Sequence, residues 1–271
     1  MIIVKCPVVA KGVEEMIVII VSIIYIVYNK TDHYSCDKIV FNYILKHGHR
    51  YASEIAKAFN VLRASLEYCY PLSIISLGCG PSTELYGVSQ VFNDRQIKYI
   101  GLDRAPIWEP IQEYNLNLFN SNGNDISYSS DDFFDTIEKD SEGWDVLILN
   151  YFLSDFVKFS PDAVPDFIER LAKKIESGSF RHIIINDIPL FYPEGSAFRC
   201  IVDLMRRLNP KNHPIYEFKA FHFKVPKVEL GQKTFGRKVD ESLIFPITET
   251  GIDGFEPFES CGSIQLIISL K

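Results

Sequence analysis

The sequence has none of the cysteine and histidine patterns that build a structural metal site. No two cysteines form a Cys-x-x-Cys pair, and no two histidines have the His-x3–5-His spacing of a zinc site. The six cysteines lie far apart, at Cys6, Cys36, Cys69, Cys79, Cys200 and Cys261. Dispersed cysteines in mostly apolar surroundings are typical of reduced thiols and not of a secreted disulfide framework. We therefore predict a cytoplasmic protein that holds no metal.

The sequence also lacks the excess of positive charge that coats nucleic acid, since its formal net charge is -7. Residues 206–238 have the opposite balance, with nine Lys or Arg against two Glu. Aromatic residues are interleaved with these charges at Tyr216, Phe218, Phe221 and Phe223. The pattern suits contact with an anionic acceptor such as RNA, but a half-buried strand or a solvated face shows the same alternation. Both interpretations stay open.

No hydrophobic run is long enough to be an ordinary membrane-spanning helix. The longest candidate, Met16–Tyr28, is interrupted only by Ser22. As a helix its thirteen residues rise about 20 Å, against a hydrocarbon core of about 30 Å. Glu14 and Glu15 precede it where a signal peptide carries positive charge. We expect a buried helix or strand here, the alternatives being membrane association through residues 13–28 or a wrongly assigned start.

The chain has no internal repeat and no Gly/Ser-rich linker, but its pattern changes near residue 70. Residues 37–70 carry apolar side chains at helical spacing with a break near Gly48. Beyond them, short β-branched runs predict strands at Leu72–Leu77, Lys98–Leu102, Asp125–Ser129, Trp144–Leu149, His182–Ile185, Tyr216–Phe223 and Ser263–Leu270. Helical periodicity predicts helices at Ser82–Phe92, Ala163–Ile175 and Ser196–Leu208.

Strands that alternate with helices indicate parallel βαβ units covered on both faces. The predicted fold class is therefore α/β, with a doubly wound, Rossmann-like, mostly parallel sheet. The last two predicted strands form a C-terminal antiparallel pair, and helices precede the sheet. We predict an N-terminal helical cap or lid in residues 1–70 and the α/β domain in residues 71–271.

A buried strand that ends in a Gly-x-Gly turn is the strongest motif. Ile74–Pro81 reads IISLGCGP, so Gly78 and Gly80 let the backbone turn tightly and approach a ligand. Asp103 ends the next strand, 23 residues after Gly80. This spacing is typical of an acid that accepts hydrogen bonds from ribose hydroxyls, although an Asp there can also cap a turn.

From about Asp37 onward the chain resembles the class I S-adenosylmethionine-dependent methyltransferases. The resemblance implies S-adenosylmethionine as cofactor, with its methionine part on the glycine-rich loop and its ribose on the acid after the second strand. It implies that an acid after the third strand contacts the adenine amine, and that the helix before the sheet lies near the methionine carboxylate. The implied binding residues are Ser76, Gly78, Cys79, Gly80, Pro81, Ser82, Glu84, Asp103, Arg104, Asp131 or Asp132 with Phe133, Asn150, Arg50 and Tyr51.

The same resemblance places the loop after the fourth strand beside the transferred methyl group. Asn150–Asp155 (NYFLSD) supplies a polar side chain, aromatic rings and an acid at the carboxyl end of a strand. Asn150 or Asp155 would orient or deprotonate the acceptor, and Tyr151 or Phe152 would stack on it or on the cofactor. The alternative is that Asp155 caps a turn and the aromatic rings belong to the core.

Two departures from the family pattern motivate a second hypothesis. The family usually has an acid where Ser76 stands and often a glycine where Ser82 stands. The alternative function is therefore a regulatory or scaffold protein that binds S-adenosylmethionine without turnover. A nicotinamide-dependent dehydrogenase fits less well, because Thr83 stands where its third glycine is expected.

The methyl acceptor is left open as a small molecule, RNA or protein. The loop after the fourth strand lacks the [DNS]-P-P-[YFW] motif and the Pro-Cys pair of familiar base methyltransferases. Residues 51–70 also resemble the start of a helix-turn-helix module, whose recognition helix would be Arg63–Cys69.

Overall fold

An eight-stranded sheet forms the centre of the molecule. The structure, a computed structural model, describes residues 40, 43–139, 143–188, 197–208, 215–223, 229–230, 233–234, 236–247 and 257–271. The strands of the sheet are β1 (Leu72–Leu77), β2 (Ile97–Leu102), β3 (Asp125–Ser129), β4 (Trp144–Asn150), β5 (Phe180–Asp187), β6 (Tyr216–His222), β9 (Arg237–Lys238) and β10 (Ile264–Leu270). Strands β7 (Glu229–Leu230) and β8 (Lys233–Thr234) pair only with each other.

The strand order is β3-β2-β1-β4-β5-β10-β6-β9. Strands β1 to β5 are parallel, whereas β10 lies antiparallel between β5 and β6. This confirms the predicted doubly wound sheet and its C-terminal antiparallel pair. The central strands β1, β4 and β5 are buried along most of their length, as expected for strands with a helical layer on each face.

Helices cover both faces of the sheet. They are α1 (His49–Leu62), α2 (Glu84–Val91), α3 (Glu109–Ser121), α4 (Phe133–Lys139), α5 (Leu153–Phe159), α6 (Val164–Glu176) and α7 (Ala197–Leu208). The apolar side chains of α1, α2 and α3 share one core cluster, and those of α4 to α7 share the other. A π-helical turn, Ile44–Gly48, leads directly into α1, which accounts for the break in periodicity near Gly48.

Helix α1 packs tightly against α2. A Cβ on Gly87 of α2 would lie 2.5 Å from the carbonyl oxygen of Ala52 and 3.0 Å from the amide nitrogen of Ala56. Only a glycine allows the two helix backbones to approach this closely. Helices α1 and α2 therefore belong to the same helical layer on one face of the sheet. The domain boundary near residue 70 stays a prediction.

The segment after α1 and the possibility of a membrane-spanning helix were the other two predictions from the sequence. Residues 63–68 form turns and not a recognition helix, so the helix-turn-helix alternative is wrong. No helix within the described ranges has the length and apolar character needed to cross a bilayer. The apolar segment 13–28 lies outside the described residues.

Candidate functional site

The strand order reverses at the carboxyl edge of the parallel strands, between β1 and β4. From β1 the chain proceeds outward through β2 to β3, and it then crosses to β4 on the other side of β1. Ligands of open α/β sheets bind at such a switch point, because the loops after the two central strands diverge there. The loops after β1 and β4 are Gly78–Thr83 and Tyr151–Phe152.

The loop after β1 turns tightly at Gly78. Its φ angle is 64°, and its N–H donates to the carbonyl of Leu102 at 2.8 Å. A Cβ at this position would lie 2.5 Å from Cδ2 of Phe152. Both the positive φ and the adjacent ring therefore require glycine here.

Asp103 lies directly against this turn. The N–H of Gly80 donates to Oδ2 of Asp103 at 2.8 Å, and the N–H of Ala105 donates to Oδ1 at 2.8 Å. The carboxylate is only half-buried, and each oxygen has a second lone pair directed elsewhere. Asp103 thus closes the turn at its own position, and its contact with a ribose stays a prediction.

A buried carboxyl group lies beneath the loop. Glu84, at the start of α2, accepts the hydroxyl protons of Ser76 at 2.5 Å and of Tyr99 at 2.8 Å on the same oxygen. Its side chain is fully buried, and burial raises its pKa above the usual value. The loop therefore has an acid under it although Ser76 occupies the expected acidic position. Glu84 contacts the inner side of the loop, and a direct contact of Glu84 with cofactor stays a prediction.

Two amides of α3 hold the loop from the other side, and the sequence analysis did not identify them. Gln112 Nε2 donates to the carbonyl of Gly80 at 2.9 Å, and Asn115 Nδ2 donates to that of Pro81 at 2.9 Å. Both side chains are buried. No sequence signal marked them, because the helix that carries them was not predicted, and buried polar side chains of this kind need partners that only the fold supplies.

Asn150 and Tyr151 form a corner at the end of β4. The amide oxygen of Asn150 accepts Nδ2 of Asn186 at 2.9 Å, and the N–H of Tyr151 donates to the carbonyl of Asn186 at 2.7 Å. Tyr151 has a φ of 56°, a left-handed conformation that bulky residues rarely adopt. Its hydroxyl donates to Oε2 of Glu54, a fully buried residue of α1, at 2.9 Å.

Arg50 and Tyr51 of α1 reach the same corner. The Tyr51 ring stacks on that of Tyr151 with a centroid distance of 3.7 Å. Arg50 donates from Nε to Oε1 of Glu54 at 3.0 Å, and its guanidinium lies 4.7 Å from the centre of the Phe258 ring. The structure therefore gives Arg50 an internal partner, and its contact with a cofactor carboxylate stays a prediction.

Trp108 lies beside Gly80, a contact that no pattern in the sequence indicated. Its ring lies 3.7 Å from the position that a Cβ on Gly80 would take, and 5.3 Å from the Tyr43 ring between centroids. An aromatic ring therefore occupies the space into which a side chain at position 80 would point.

Two acids lie beyond the corner. Asp187 ends β5 and is fully buried, and it accepts the N–H of Ser154 at 3.0 Å and of Ile188 at 2.7 Å. Burial raises the pKa of Asp187 to about 6. The predicted catalytic residue Asp155, in the first turn of α5, is exposed to solvent on one side, and partial desolvation raises its pKa above the usual value.

The acids after β3 lie at the outer end of the same edge. Asp132 uses Oδ1 to cap α4, accepting the N–H of Phe134 at 3.0 Å, and its Oδ2 lies 3.3 Å from the guanidinium of Arg104. Asp131 is exposed, and its Oδ2 lies 3.9 Å from Nζ of Lys139. The Phe133 ring is buried in the core. Arg104 and Asp132 thus continue the line that begins at Gly80 and Asp103, and their contact with adenine stays a prediction.

Several cations of the basic stretch 206–238 have acidic partners on the protein. Arg206 pairs with Asp203 at 3.4 Å, Lys219 pairs with Glu217 at 3.6 Å, and Arg207 pairs with Glu169. Tyr216 and Phe218 lie in β6. The described part of the stretch therefore contains a half-buried strand and paired charges, and RNA binding by it stays a prediction.

The comparisons concern the fold. A scan of protein-family models and a search of curated proteins find no match. Solved structures similar to this chain include the plantazolicin methyltransferase BpumL in complex with SAH, at 14% identity and a TM-score of 0.47 over 96% of this chain and 98% of that one. Another is magnesium protoporphyrin IX methyltransferase from Synechocystis PCC 6803 with bound SAH, at 12% identity and a TM-score of 0.46 over 93% and 94%. At these values the doubly wound fold rests on the strand order of the chain itself.

Proposed function

We propose that this protein binds S-adenosylmethionine at the carboxyl edge of its sheet and transfers the methyl group to an acceptor. The observation that carries the proposal is the hydrogen bond from the Gly80 N–H to the Asp103 carboxylate. It places a half-exposed acid against a glycine turn, at the point where the strand order reverses.

The residues present fit this cofactor. Asp103 retains lone pairs for ribose hydroxyls, and Gly78 and Gly80 have no side chains of their own, so the rings of Phe152 and Trp108 lie directly against the backbone of the turn. Trp108 presents an aromatic face beside Gly80 for a planar base, and Asp132 lies at the end of the neighbouring strand. Tyr151 and Asn150 would border the sulfonium end.

The proposed chemistry requires little of the protein beyond positioning. The cofactor supplies an electrophilic methyl group, and an aligned nucleophile in a site shielded from water accepts it. Asn150 and Tyr151 are held rigidly enough to orient that nucleophile. Asp155 is the acid available to take a proton from the acceptor, and its raised pKa brings it closer to the range suited to a general base.

Isothermal titration calorimetry with S-adenosylmethionine and S-adenosylhomocysteine tests the proposal. Replacing Asp103 with Ala removes the ribose acceptor, so we expect Kd to rise at least about tenfold, as for a lost hydrogen bond to a charged group. The matched control is Asp125→Ala. Asp125 is an exposed acid at the amino end of β3, on the edge of the sheet opposite to Asp103, so its loss should leave Kd unchanged. An Asp103→Ala protein that binds as tightly as wild type would disprove the ribose assignment.

Incubation with methyl-labelled cofactor and fractionated cell extract then separates enzyme from binding protein. Label in a small-molecule, RNA or protein fraction would support methyl transfer and give the acceptor class. Tight cofactor binding with no labelled fraction would favour the alternative of a regulatory or scaffold protein.

A further inference from the structure

Glu54 lies at the centre of a buried network that joins four segments of the chain. Its Oε1 accepts from Nε of Arg50 at 3.0 Å and from the N–H of Gly262 at 2.8 Å. Its Oε2 accepts from the hydroxyl of Tyr151 and from Nδ2 of Asn186, both at 2.9 Å. Four donors use the full acceptor capacity of a carboxylate. Helix α1, the corner after β4, the end of β5 and the turn before β10 therefore meet at one side chain.

We propose that Glu54 is a positioning residue that fixes the corner formed by Asn150 and Tyr151 at the methyl-transfer end of the site. The inference rests on the proposed function, which places this corner beside the transferred methyl group. Glu54 itself acts through its neighbours, because its side chain is fully buried behind the corner.

The conformation of Tyr151 shows why the corner needs support. A bulky residue remains in the left-handed region only where its surroundings enforce it. Three contacts do so: the N–H to the Asn186 carbonyl, the hydroxyl to Glu54, and the ring on Tyr51. The last two originate from α1, so this helix determines where the Tyr151 side chain lies.

The orientation of Asn150 depends on the same carboxylate. Nδ2 of Asn186 donates both to Glu54 and to the amide oxygen of Asn150, at 2.9 Å each. The opposite end of the Asn186 amide accepts the hydroxyl of Ser263 at 2.6 Å, which fixes the direction of the amide. Glu54 therefore orients Asn150 through one intermediate residue.

A buried ion pair is a poor way to gain stability but a good way to specify geometry. Desolvation of Glu54 and Arg50 offsets much of their attraction, and an apolar pair of similar volume would pack as well. An ionised carboxylate with four donors, in contrast, permits one arrangement of its partners. The network thus matches a requirement for a precise corner.

The Kd ratio of S-adenosylmethionine to S-adenosylhomocysteine tests this role by calorimetry. The two ligands differ only in the methyl group and the charge of the sulfur, so the ratio reports on the surroundings of that methyl. We expect Glu54→Gln and Tyr151→Phe each to change the ratio by about threefold or more, as for residues in one network. The double variant should change it no further than the stronger single variant does.

The matched control is Ser53→Ala. Ser53 precedes Glu54 on α1 and is equally buried, but its oxygen accepts the N–H groups of Ile244 and Phe245, away from the corner. Its loss should lower Tm and leave the ratio unchanged. An unchanged ratio in Glu54→Gln and Tyr151→Phe, or an equal change in Ser53→Ala, overturns the positioning role alone. A wild-type protein that binds neither ligand overturns the proposed function and this inference together.

Discussion

Burial distinguishes the acids at the carboxyl edge of the sheet. Glu84 and Asp187 are fully buried, and burial raises the pKa of both carboxyl groups. Glu54 is equally buried but is paired with the guanidinium of Arg50. Asp103 remains half-exposed. Acids at one edge of the sheet therefore have different surroundings: Glu84 and Asp187 accept hydrogen bonds inside the protein, Glu54 is ion-paired, and the half-exposed Asp103 is the acid that we propose for ligand binding.

Asp187 should make stability depend on pH in a defined window. Its folded pKa is about 6 against a usual value of 3.8, so between these values the folded state keeps a proton that the unfolded state has released. The free energy of unfolding should therefore fall as pH rises from about 4 to about 6, by about 3 kcal/mol from this group. Denaturant titrations at several pH values between 4 and 6 measure this fall in the free energy of unfolding.

The variant Asp187→Asn isolates this contribution, because its side chain does not titrate. The difference in unfolding free energy between wild type and Asp187→Asn should favour wild type most at pH 4 and shrink toward pH 6. A difference that is the same at every pH would contradict the raised pKa.

Some site residues could be predicted from local sequence and others could not. Gly78, Gly80 and Asp103 lie within 25 residues, where strand-turn-helix spacing has direct structural meaning. Arg50 is four residues from Glu54, but its other three partners are separated from it by 97, 132 and 208 residues at Tyr151, Asn186 and Gly262. Only the folded chain brings these residues together, so no spacing pattern signals the network.

At the scale of elements, strands were predicted better than helices. The bounds of β1 and β3 agree with the prediction residue for residue, because short β-branched runs end at glycine or polar residues. Helix α3 was missed because its inward face is partly polar: Gln112 and Asn115 hold the glycine loop where apolar side chains would give helical periodicity. The two amides that hold the loop thus interrupt the apolar periodicity that would have predicted this helix.

The close contact of α1 and α2 makes Gly87 critical. Replacing Gly87 with Ala puts a methyl group 2.5 Å from the carbonyl oxygen of Ala52, so the helices must separate. We expect the free energy of unfolding to fall by about 1–3 kcal/mol, as for overpacking of a core. Chemical denaturation measures the change.

The control for Gly87→Ala is Gln90→Ala, an exposed position on the same helix. Ala is the better helix former at both positions, so without the contact both variants would be neutral or stabilised. Equal stability of Gly87→Ala and wild type would show that α1 does not lie against α2 as described.

At the scale of the whole molecule, the sheet topology gathers distant segments at one edge. The strand order reverses between β1 and β4, and α1 and the turn before β10 meet beside this edge at Glu54. The site is therefore built from segments that span residues 43–263. The class of fold could be predicted from the alternation of strands and helices. The meeting of α1 with the turn before β10 could not, because it depends on contacts between the first and last parts of the described chain.

A crystal structure of the complex with S-adenosylhomocysteine tests the central claim most directly. The account predicts the ribose hydroxyls within about 3 Å of the Asp103 carboxylate, the usual hydrogen-bond distance, with the nucleoside across the Gly78–Gly80 turn. A nucleoside bound elsewhere, or a ribose that makes no contact with Asp103, would contradict it.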